Sequence, residues 1–335
     1  MMNKKKAYIS YGINLILVLA LFFFLRTLIV TSVLNRYQAD LITLVCINVT
    51  MAVSLNLVTG LLGQLVLGHA GFMLVGAYAA ALFTKNSSLP LQFSLPIGLV
   101  LAGILAAVFG VIIGIPALRL RGDYLAIITL GFGEIIRVIA NNLKITGGAM
   151  GLGGIKSLTN RQHPAGMLPF VFFIAAVVIF AMFTFGRSRH GRAVIAIRED
   201  EIAAEAAGVN TTYYKLLAFV LAAFIAGVAG GLYAHHLGLI DPSKYDFNRS
   251  VEFLIMVVLG GMGSITGSIL SASVLTILPE LLRGFSNYRM LAYSVVLICV
   301  MLFRPTGLLG RAEFSLSALI RRITGKKQDA AKGGV

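Results

Sequence analysis

Charged side chains are scarce in this sequence. They make up 12% of its 335 residues, whereas a soluble domain carries about 25%. Acidic residues are the scarcer kind, with 13 Asp and Glu against 28 Lys and Arg. Because 58% of the residues are hydrophobic and the mean hydropathy is +0.90, the composition excludes an ordinary soluble domain and indicates a protein that faces lipid.

Cysteines and the common catalytic motifs are also rare or missing. The two cysteines, Cys46 and Cys299, lie in apolar runs and indicate no disulfide framework. The sequence contains no GxxxxGK(S/T) phosphate loop, no HExxH metal site and no GxSxG nucleophile elbow. We therefore expect no catalytic residue, no metal site and no cofactor bound by this chain. The pI is about 10.1, but the basic residues do not cluster on one soluble face, so we expect no nucleic-acid partner.

Ten apolar segments follow one another along the chain. We compare their lengths with the roughly 20 residues that a helix needs to cross the hydrocarbon core of a bilayer. They predict an all-α, polytopic membrane protein of about ten helices, in one domain over residues 1–335. The first segment is too long for a cleaved secretory signal, so we expect it to be retained. The segments are Ile13–Val30, Leu41–Val58, Leu61–Phe83, Pro96–Ile115, Tyr124–Ala140, Leu168–Phe185, Leu216–His235, Val251–Leu259, Ser264–Leu282 and Met290–Phe303.

The distribution of Lys and Arg predicts the orientation. With the N-terminus in the cytoplasm, 17 of them lie inside, 9 lie outside, and Arg26 and Arg137 lie within spans. The positive-inside rule then places both termini, the loop 186–215 and the basic tail 304–335 in the cytoplasm.

Two turns without charge, Thr59–Gly63 and Gly260–Gly263, leave the number of crossings open. If both hairpins were re-entrant, the count would fall from ten to eight and every charged loop would keep its side. The glycines around these turns have two interpretations. They let helices pack closely in lipid, or they break helices beside a cavity, as in a transporter built from an inverted repeat.

The polar stretch Gly186–Lys215 contrasts with the rest of the chain, because it holds five of the 28 basic and four of the 13 acidic residues. Within it, Asp200 predicts an N-cap, Glu201 lies in the first turn, and Gly208 ends a short helix. A helix of about 10 Å is too short to be stable alone in water. We therefore expect it to dock against another protein, with a merely solvated loop as the alternative.

Five sequence blocks resemble the permease subunits of branched-chain amino acid ABC importers. The blocks are GLLGQLVLGHAGFMLVGAY at 60–78, RLRGDYLAIITLGFGEIIR at 119–137, TGGAMGLGGI at 146–155, AIREDEIAAEAAGVN at 196–210 and FRPTGLLG at 303–310. In that family a cytoplasmic EAA-type coupling helix contacts an ATPase. The resemblance assigns this role to Arg198, Glu199, Asp200, Glu201, Glu205, Ala206, Ala207 and Gly208. Which Glu meets the ATPase stays open, because Glu205 to Gly208 are contiguous here whereas the general importer pattern has its Gly six positions after the Glu.

The resemblance implies a transport subunit, not an enzyme, in the inner (cytoplasmic) membrane of a bacterium. Its implied partners are a second permease subunit (homologous or identical), two ATP-binding subunits that use ATP and Mg, a periplasmic or surface substrate-binding protein, and membrane lipid. The implied substrates are leucine, isoleucine and valine, moved into the cytoplasm by alternating access. Urea, short amides or other amino acids are the alternatives.

Polar side chains within the spans are candidates for the translocation path, because such groups are costly in lipid unless they have a partner or a function. Asn56, Gln64 and His69 lie around the first glycine turn, and Glu134 lies three residues before Arg137 on one helical face. We predict that Asn56, Gln64, His69 and Glu134 line the path. The alternatives are a hydrogen-bonded core position for His69 and an architectural ion pair for Glu134.

The outer loops contain candidates for docking of the binding protein. Asp241, Lys244, Asp246 and Arg249 lie in the sequence IDPSKYDFNR at 240–249, and their charges suit a docking contact. The glycine-rich run 146–155 is the other candidate, with a flexible linker as its alternative.

Two rival functions are compatible with parts of the sequence. A proton- or ion-coupled secondary carrier would work without an ATPase and would use Glu134, Arg137 and His69 as a relay. A membrane-embedded enzyme acting on lipid-linked substrates would need an acidic metal cluster at the interface, yet the dense acidic group Glu199–Glu205 lies on an alanine-rich helix. The resemblance favours the importer over both.

Overall fold

The computed structural model describes residues 4–31, 33–120, 122–159 and 165–282, together with 294–295, 298, 302–304, 307–310 and 313. The side chains of residues 4–15 lie outside this description, as do Cys299 and most of the predicted segment Met290–Phe303. The described helices are α1 (Lys4–Val30), α2 (Arg36–Asn56), α3 (His69–Asn86), α4 (Leu91–Ala117), α5 (Asp123–Asn142), α6 (Leu168–Arg187), α7 (Arg189–Glu199), α8 (Glu201–Ala206), α9 (Thr211–Leu237), α10 (Phe247–Gly260) and α11 (Ile265–Leu281).

Four stretches of these helices are long and apolar enough to cross a membrane: Arg36–Leu61, Leu91–Ala117, Leu168–Arg187 and Thr211–Leu237. Shorter apolar stretches occur in α1 and α11. Large apolar side chains such as Ile97 on α4 and Val177 on α6 are exposed at the surface of the bundle, which suits contact with lipid. The predicted all-α, polytopic membrane fold is confirmed.

Helices α3, α4 and α9 form the centre of the bundle, and small residues allow them to approach closely. A Cβ atom on Gly76 of α3 would collide with the backbone of Gly227 in α9. A Cβ atom on Gly227 would in turn lie 2.6 Å from the carbonyl oxygen of Ala102 in α4. Gly227 and Gly231 have the GxxxG spacing with which helix backbones come into contact in membranes.

The break at the first glycine turn is longer than predicted and lies further along the chain. α2 continues into a π-helical turn, Leu57–Leu61, and residues 62–68 form no helix before α3 begins at His69. The predicted helix from Leu61 to Phe83 is therefore wrong over its first part. The physical reason is a tertiary contact, because the amide of Leu67 donates to the Thr129 hydroxyl of α5 (3.1 Å) in place of a helical carbonyl.

Both glycine turns lie at one end of the bundle, beside α7 and α8; we call it the α8 end. There Gly60 contacts Gly263, and the Arg198 side chain contacts both. The hairpins α2–α3 and α10–α11 therefore reach the level of α7 before they turn back. Corresponding turns of an inverted repeat would lie at opposite ends, so these two turns are not themselves such a pair.

The opposite end carries two short antiparallel strands; we call it the strand end. β1 (Leu152–Gly153) pairs with β2 (Leu239–Ile240), so the two outer loops of the sequence prediction form one structure. The ammonium group of Lys85, in the last turn of α3, donates to the carbonyl of Gly153 (3.2 Å).

Part of the predicted basic tail 304–335 also belongs to the α8 end. The amide of Leu308 donates to the carbonyl of Leu259 in α10 (2.7 Å). The Glu313 carboxylate accepts the amides of Ile265 (2.7 Å) and Thr266 (3.2 Å) at the start of α11, where the helix dipole favours a negative charge. The described residues of this segment thus pack on the second glycine turn.

Candidate functional site

The polar segment 186–215 forms two helices where the sequence predicted one. α7 begins after Ser188, whose hydroxyl accepts the amide of Gly191 (3.0 Å) and so caps the helix. Its buried residues Gly191, Val194 and Ile197 recur at every third position, so one face of α7 packs on the bundle. Sequence reasoning missed α7, although this spacing is the signal for it.

α8 has the predicted caps. The Asp200 carboxylate accepts the amides of Ile202 (2.9 Å) and Ala203 (3.0 Å), which makes it the N-cap. Gly208 follows the helix with φ of 84°, in the left-handed region that ends helices and favours glycine. Asp200 therefore starts α8 and Gly208 ends it, so both residues have a structural role in addition to any contact with a partner.

Glu201 and Ala204 anchor α8 to the bundle. The Glu201 carboxylate lies 2.7 Å from the ammonium group of Lys215 in the first turns of α9, and the Lys215 side chain is only 4% exposed. Ala204 is buried. The carboxylate of Glu201 and the methyl group of Ala204 thus face this chain, so the face of α8 that is open to a partner is the opposite one.

The opposite face of α8 is apolar and acidic. Ile202 is 73% exposed, so its apolar side chain is accessible to a partner. The neighbouring alanines let another surface come close, and the Glu205 carboxylate can accept charge-assisted hydrogen bonds. The exposed residues here are Glu199, Asp200, Ile202, Ala203, Glu205, Ala206, Ala207 and Gly208; we call them the α8 face.

Arg198 points away from the α8 face and into the bundle. Its guanidinium Nη1 donates to the carbonyl oxygen of Gly60 (2.7 Å). A Cβ atom on Gly63 would lie 2.7 Å from the Cγ of Arg198, and one on Gly263 would lie 2.9 Å from its Nη1. Arg198 therefore joins the α7–α8 segment to both glycine turns.

Asn56 holds the two glycine turns together. Its Oδ1 accepts the amide of Gly263 (2.9 Å), and its Nδ2 donates to the carbonyl of Ser264 (3.0 Å). Asn56 is buried, and both ends of its side-chain amide are bonded. Asn56, a predicted path residue, thus joins two segments that are more than 200 residues apart in the sequence.

The other predicted path residues have separate surroundings. His69 is buried, with its Nε2 2.7 Å from the Ser54 hydroxyl, which matches the hydrogen-bonded core position. Gln64 is partly exposed, and its buried Oε1 has no hydrogen-bond partner within the described part of the chain. Glu134 pairs with Arg137 at 2.6 Å on a partly exposed face of α5, so these two charges neutralise each other.

The four docking candidates lie at the strand end, and three of them stabilise local structure. Asp241 and Asp246 each accept a backbone amide, at 3.0 and 3.1 Å, and so cap a 3₁₀ turn and α10. The Arg249 guanidinium donates to Glu252 at 2.6 Å. Lys244 is exposed and is the cleanest probe of a docking contact among the four.

Comparison with known protein families shows which family has this sequence and fold. A family model described as "Branched-chain amino acid transport system / permease component" matches residues 37–304. This chain belongs to that family. The match extends from α2 beyond α11 and includes α7, α8 and both glycine turns, so the α8 end is part of the shared permease fold, and the resemblance drawn from the five sequence blocks is confirmed.

Individual relatives of this chain carry names that match the description of the family. The high-affinity branched-chain amino acid transport system permease protein LivM of Escherichia coli K12 is 39% identical over 343 residues, which cover 92% of this permease and 78% of the relative. LivM of Salmonella typhimurium is 39% identical, with 85% of this permease and 74% of the relative covered. The permease protein LivH of Escherichia coli K12 is 28% identical, with 78% and 91% covered.

Proposed function

We propose that this permease is the membrane subunit of an ATP-driven importer that moves leucine, isoleucine and valine into the cytoplasm. In the proposed complex, a second permease subunit completes the pore, and two ATP-binding subunits that use ATP and Mg contact the α8 faces. A substrate-binding protein docks at the strand end. Urea, short amides or other amino acids remain the alternative substrates.

The observation that carries this proposal is the α8 face. α8 has six residues, which corresponds to about 9 Å and is far below the length of a helix that is stable alone. Its caps and the Glu201–Lys215 ion pair hold it in place, while Ile202 stays exposed. A rigidly held apolar side chain, surrounded by small and acidic residues, suits the centre of a protein interface.

The proposed orientation places the α8 end in the cytoplasm. The count of 17 basic residues inside and 9 outside supports it. It also puts the α8 face on the side of the membrane where ATP is available and both termini in the cytoplasm, in the inner membrane of a bacterium. The strand end then faces the compartment from which a binding protein delivers substrate.

Ile202→Asp is expected to reduce the affinity of the permease for its ATP-binding subunit by at least about thirtyfold, because truncating or charging a central interface residue costs about 2 kcal/mol or more. The matched control is Ile145→Asp, since Ile145 is similarly exposed but lies beyond α5, toward the strand end. The measurement is binding of the purified ATP-binding subunit, followed by ATP hydrolysis and leucine uptake in proteoliposomes.

Two outcomes would overturn the proposal. Wild-type affinity of Ile202→Asp for the ATP-binding subunit would show that α8 is not the contact. Uptake of leucine by the permease alone, driven by a proton or ion gradient and indifferent to ATP, would identify a secondary carrier instead.

Lys244→Glu is expected to weaken binding of the substrate-binding protein about threefold and to change its salt dependence, because a charge at an interface rim acts mainly through long-range electrostatics. Charge reversal at Asp246 is a poorer test, since removal of a helix N-cap costs about 1 kcal/mol by itself. Arg192→Glu, at the α8 end, is the control. Equal affinities of Lys244→Glu and wild type at low and high salt would exclude Lys244 from the contact.

A further inference from the structure

We infer that Arg198 is the positioning residue through which a displacement of α7 and α8 reaches both glycine turns. This inference rests on the proposed function, because it assumes that an ATPase moves the α8 face. It differs from the role implied by the family resemblance, in which Arg198 is one of the residues that meet the ATPase.

The first step is the link between α8 and Arg198. Arg198 lies in the last turn of α7, two residues before Asp200, the N-cap of α8. Glu201 of α8 is bonded to Lys215 of α9, so α7, α8 and the start of α9 form one cluster. A push on the α8 face therefore displaces the Arg198 backbone with little intervening chain to absorb it.

The second step is the link between Arg198 and the first glycine turn. Nη1 donates to the Gly60 carbonyl at 2.7 Å, and a hydrogen bond from a charged donor is about twice as strong as one between neutral groups. Gly60 belongs to the π-helical turn Leu57–Leu61, a kind of helical irregularity that is frequent at functional sites. The aliphatic part of Arg198 packs on Gly63 just beyond it.

The third step is the link between the two turns. A Cβ atom on Gly60 would collide with the amide nitrogen of Gly263 and with the Asn56 side chain, so the two turns touch through their backbones. Asn56 bonds to Gly263 and Ser264. These contacts transmit a shift of one turn to the other, and together the two turns end α2, end α10 and begin α11.

One guanidinium group thus connects the polar segment to the ends of three helices. Arg suits this position better than Lys, because its planar group has several donors and can reach the Gly60 carbonyl while it packs against Gly263. The consequence is a specific failure: without Arg198, the ATPase should still bind and hydrolyse ATP, but the glycine turns should no longer follow.

The first test compares Arg198→Gln with the control Arg192→Gln in the complete complex, reconstituted in proteoliposomes with binding protein and leucine. Arg192 is an exposed residue of α7 whose guanidinium bonds to the carbonyl of Arg187. We expect Arg198→Gln to keep ATP hydrolysis within about twofold and to lose about tenfold in leucine moved per ATP, a typical size for coupling between two sites. Arg192→Gln should keep both.

The second test follows movement with pairs of spin labels, in a background where Cys46 and Cys299 are alanine. One pair joins Ala196→Cys on α7 to Ile145→Cys, and the other joins Met262→Cys in the second glycine turn to Ile145→Cys; all three positions are exposed. In the wild type, ATP should change both distances. In Arg198→Gln, only the distance to Ala196→Cys should change, which a loss of stability would not produce.

Equal leucine uptake per ATP in Arg198→Gln and wild type, or a turn that still moves with α7, would overturn this inference and leave the importer function intact. If Arg198→Gln does not fold, Arg198→Lys decides, because it keeps the charge but not the planar group; we expect it to lose at least about threefold in leucine moved per ATP, and wild-type coupling would overturn the inference. Failure of the wild type to need an ATPase would refute the proposed function instead.

Discussion

Gly230→Ala should destabilise the permease by about 3 kcal/mol, at the upper end of the usual cost of overpacking. The new Cβ atom would collide with the carbonyl oxygen of Met73 and would lie 3.1 Å from the amide nitrogen of Ala77, both in α3. These are backbone atoms, so no side-chain rotation relieves the contact. α3 and α9 would have to separate, and α4 packs against both of them.

Gly131→Ala is the matched control for this prediction. Gly131 lies inside α5, and a Cβ atom there would meet, within 4 Å, no described heavy atom beyond the neighbouring backbone of its own helix. Alanine should therefore be neutral or stabilise α5 by up to about 1 kcal/mol through its higher helix propensity. The measurement is thermal unfolding of both variants in the same detergent. Equal unfolding temperatures for Gly230→Ala and Gly131→Ala would contradict the close approach of α3 and α9.

Lys215→Met should cost about 2 kcal/mol of stability and should release α8 from the bundle. Breaking a fully buried ion pair costs about 3–5 kcal/mol, whereas an exposed pair contributes about 1 kcal/mol or less. The Lys215 side chain is 4% exposed and that of Glu201 is 26% exposed, so an intermediate value is expected. Because α8 would no longer be held against α9, ATP-driven leucine uptake should fall as well.

The double variant Lys215→Met with Glu201→Gln distinguishes the loss of stability caused by an unpaired carboxylate from the loss of the contact that holds α8 against α9. It removes the carboxylate that Lys215→Met leaves unpaired, so it should recover part of the stability measured by thermal unfolding. It does not restore the anchor, so ATP-driven uptake should stay low. Lys156→Met, at an exposed position, should change stability by less than about 0.5 kcal/mol. Wild-type uptake in the double variant would show that the ion pair does not position α8.

The path and docking residues stay predictions, and the structure shows which contacts three of them make within the chain. Asn56 and His69 are predicted path residues because polar groups are costly in lipid, and Asp246 is a predicted docking residue because its charge suits a docking contact. The structure gives each of the three a hydrogen-bond partner within the chain. They bond to Gly263, to Ser54 and to the amide of Arg249, respectively. Most buried polar groups in proteins are hydrogen-bonded, so a polar residue among apolar ones indicates a contact within the chain as readily as a contact with substrate.

Local properties of the chain were enough for the helical membrane class and for the caps of α8. An N-terminal Asp and a C-terminal Gly act within one or two helical turns, and an apolar segment of about 20 residues is continuous in the sequence, so residues near one another in the sequence carry the information. The same holds for the Glu134–Arg137 pair, whose members are three residues apart. The family resemblance rests on such local blocks too.

The tertiary structure alone decided how the α8 end is assembled. Arg198 and Gly60 are 138 residues apart in the chain, and Asn56 and Ser264 are 208 apart. Whether such groups meet depends on how whole helices pack. That packing is set mainly by glycines, because they let helix backbones touch, and not by the polar residues themselves. Helix packing also explains why residues 62–68 are not helical, although their apolar character predicted a helix. Packing brings the Thr129 hydroxyl of α5 close to this segment, where it accepts the amide of Leu67.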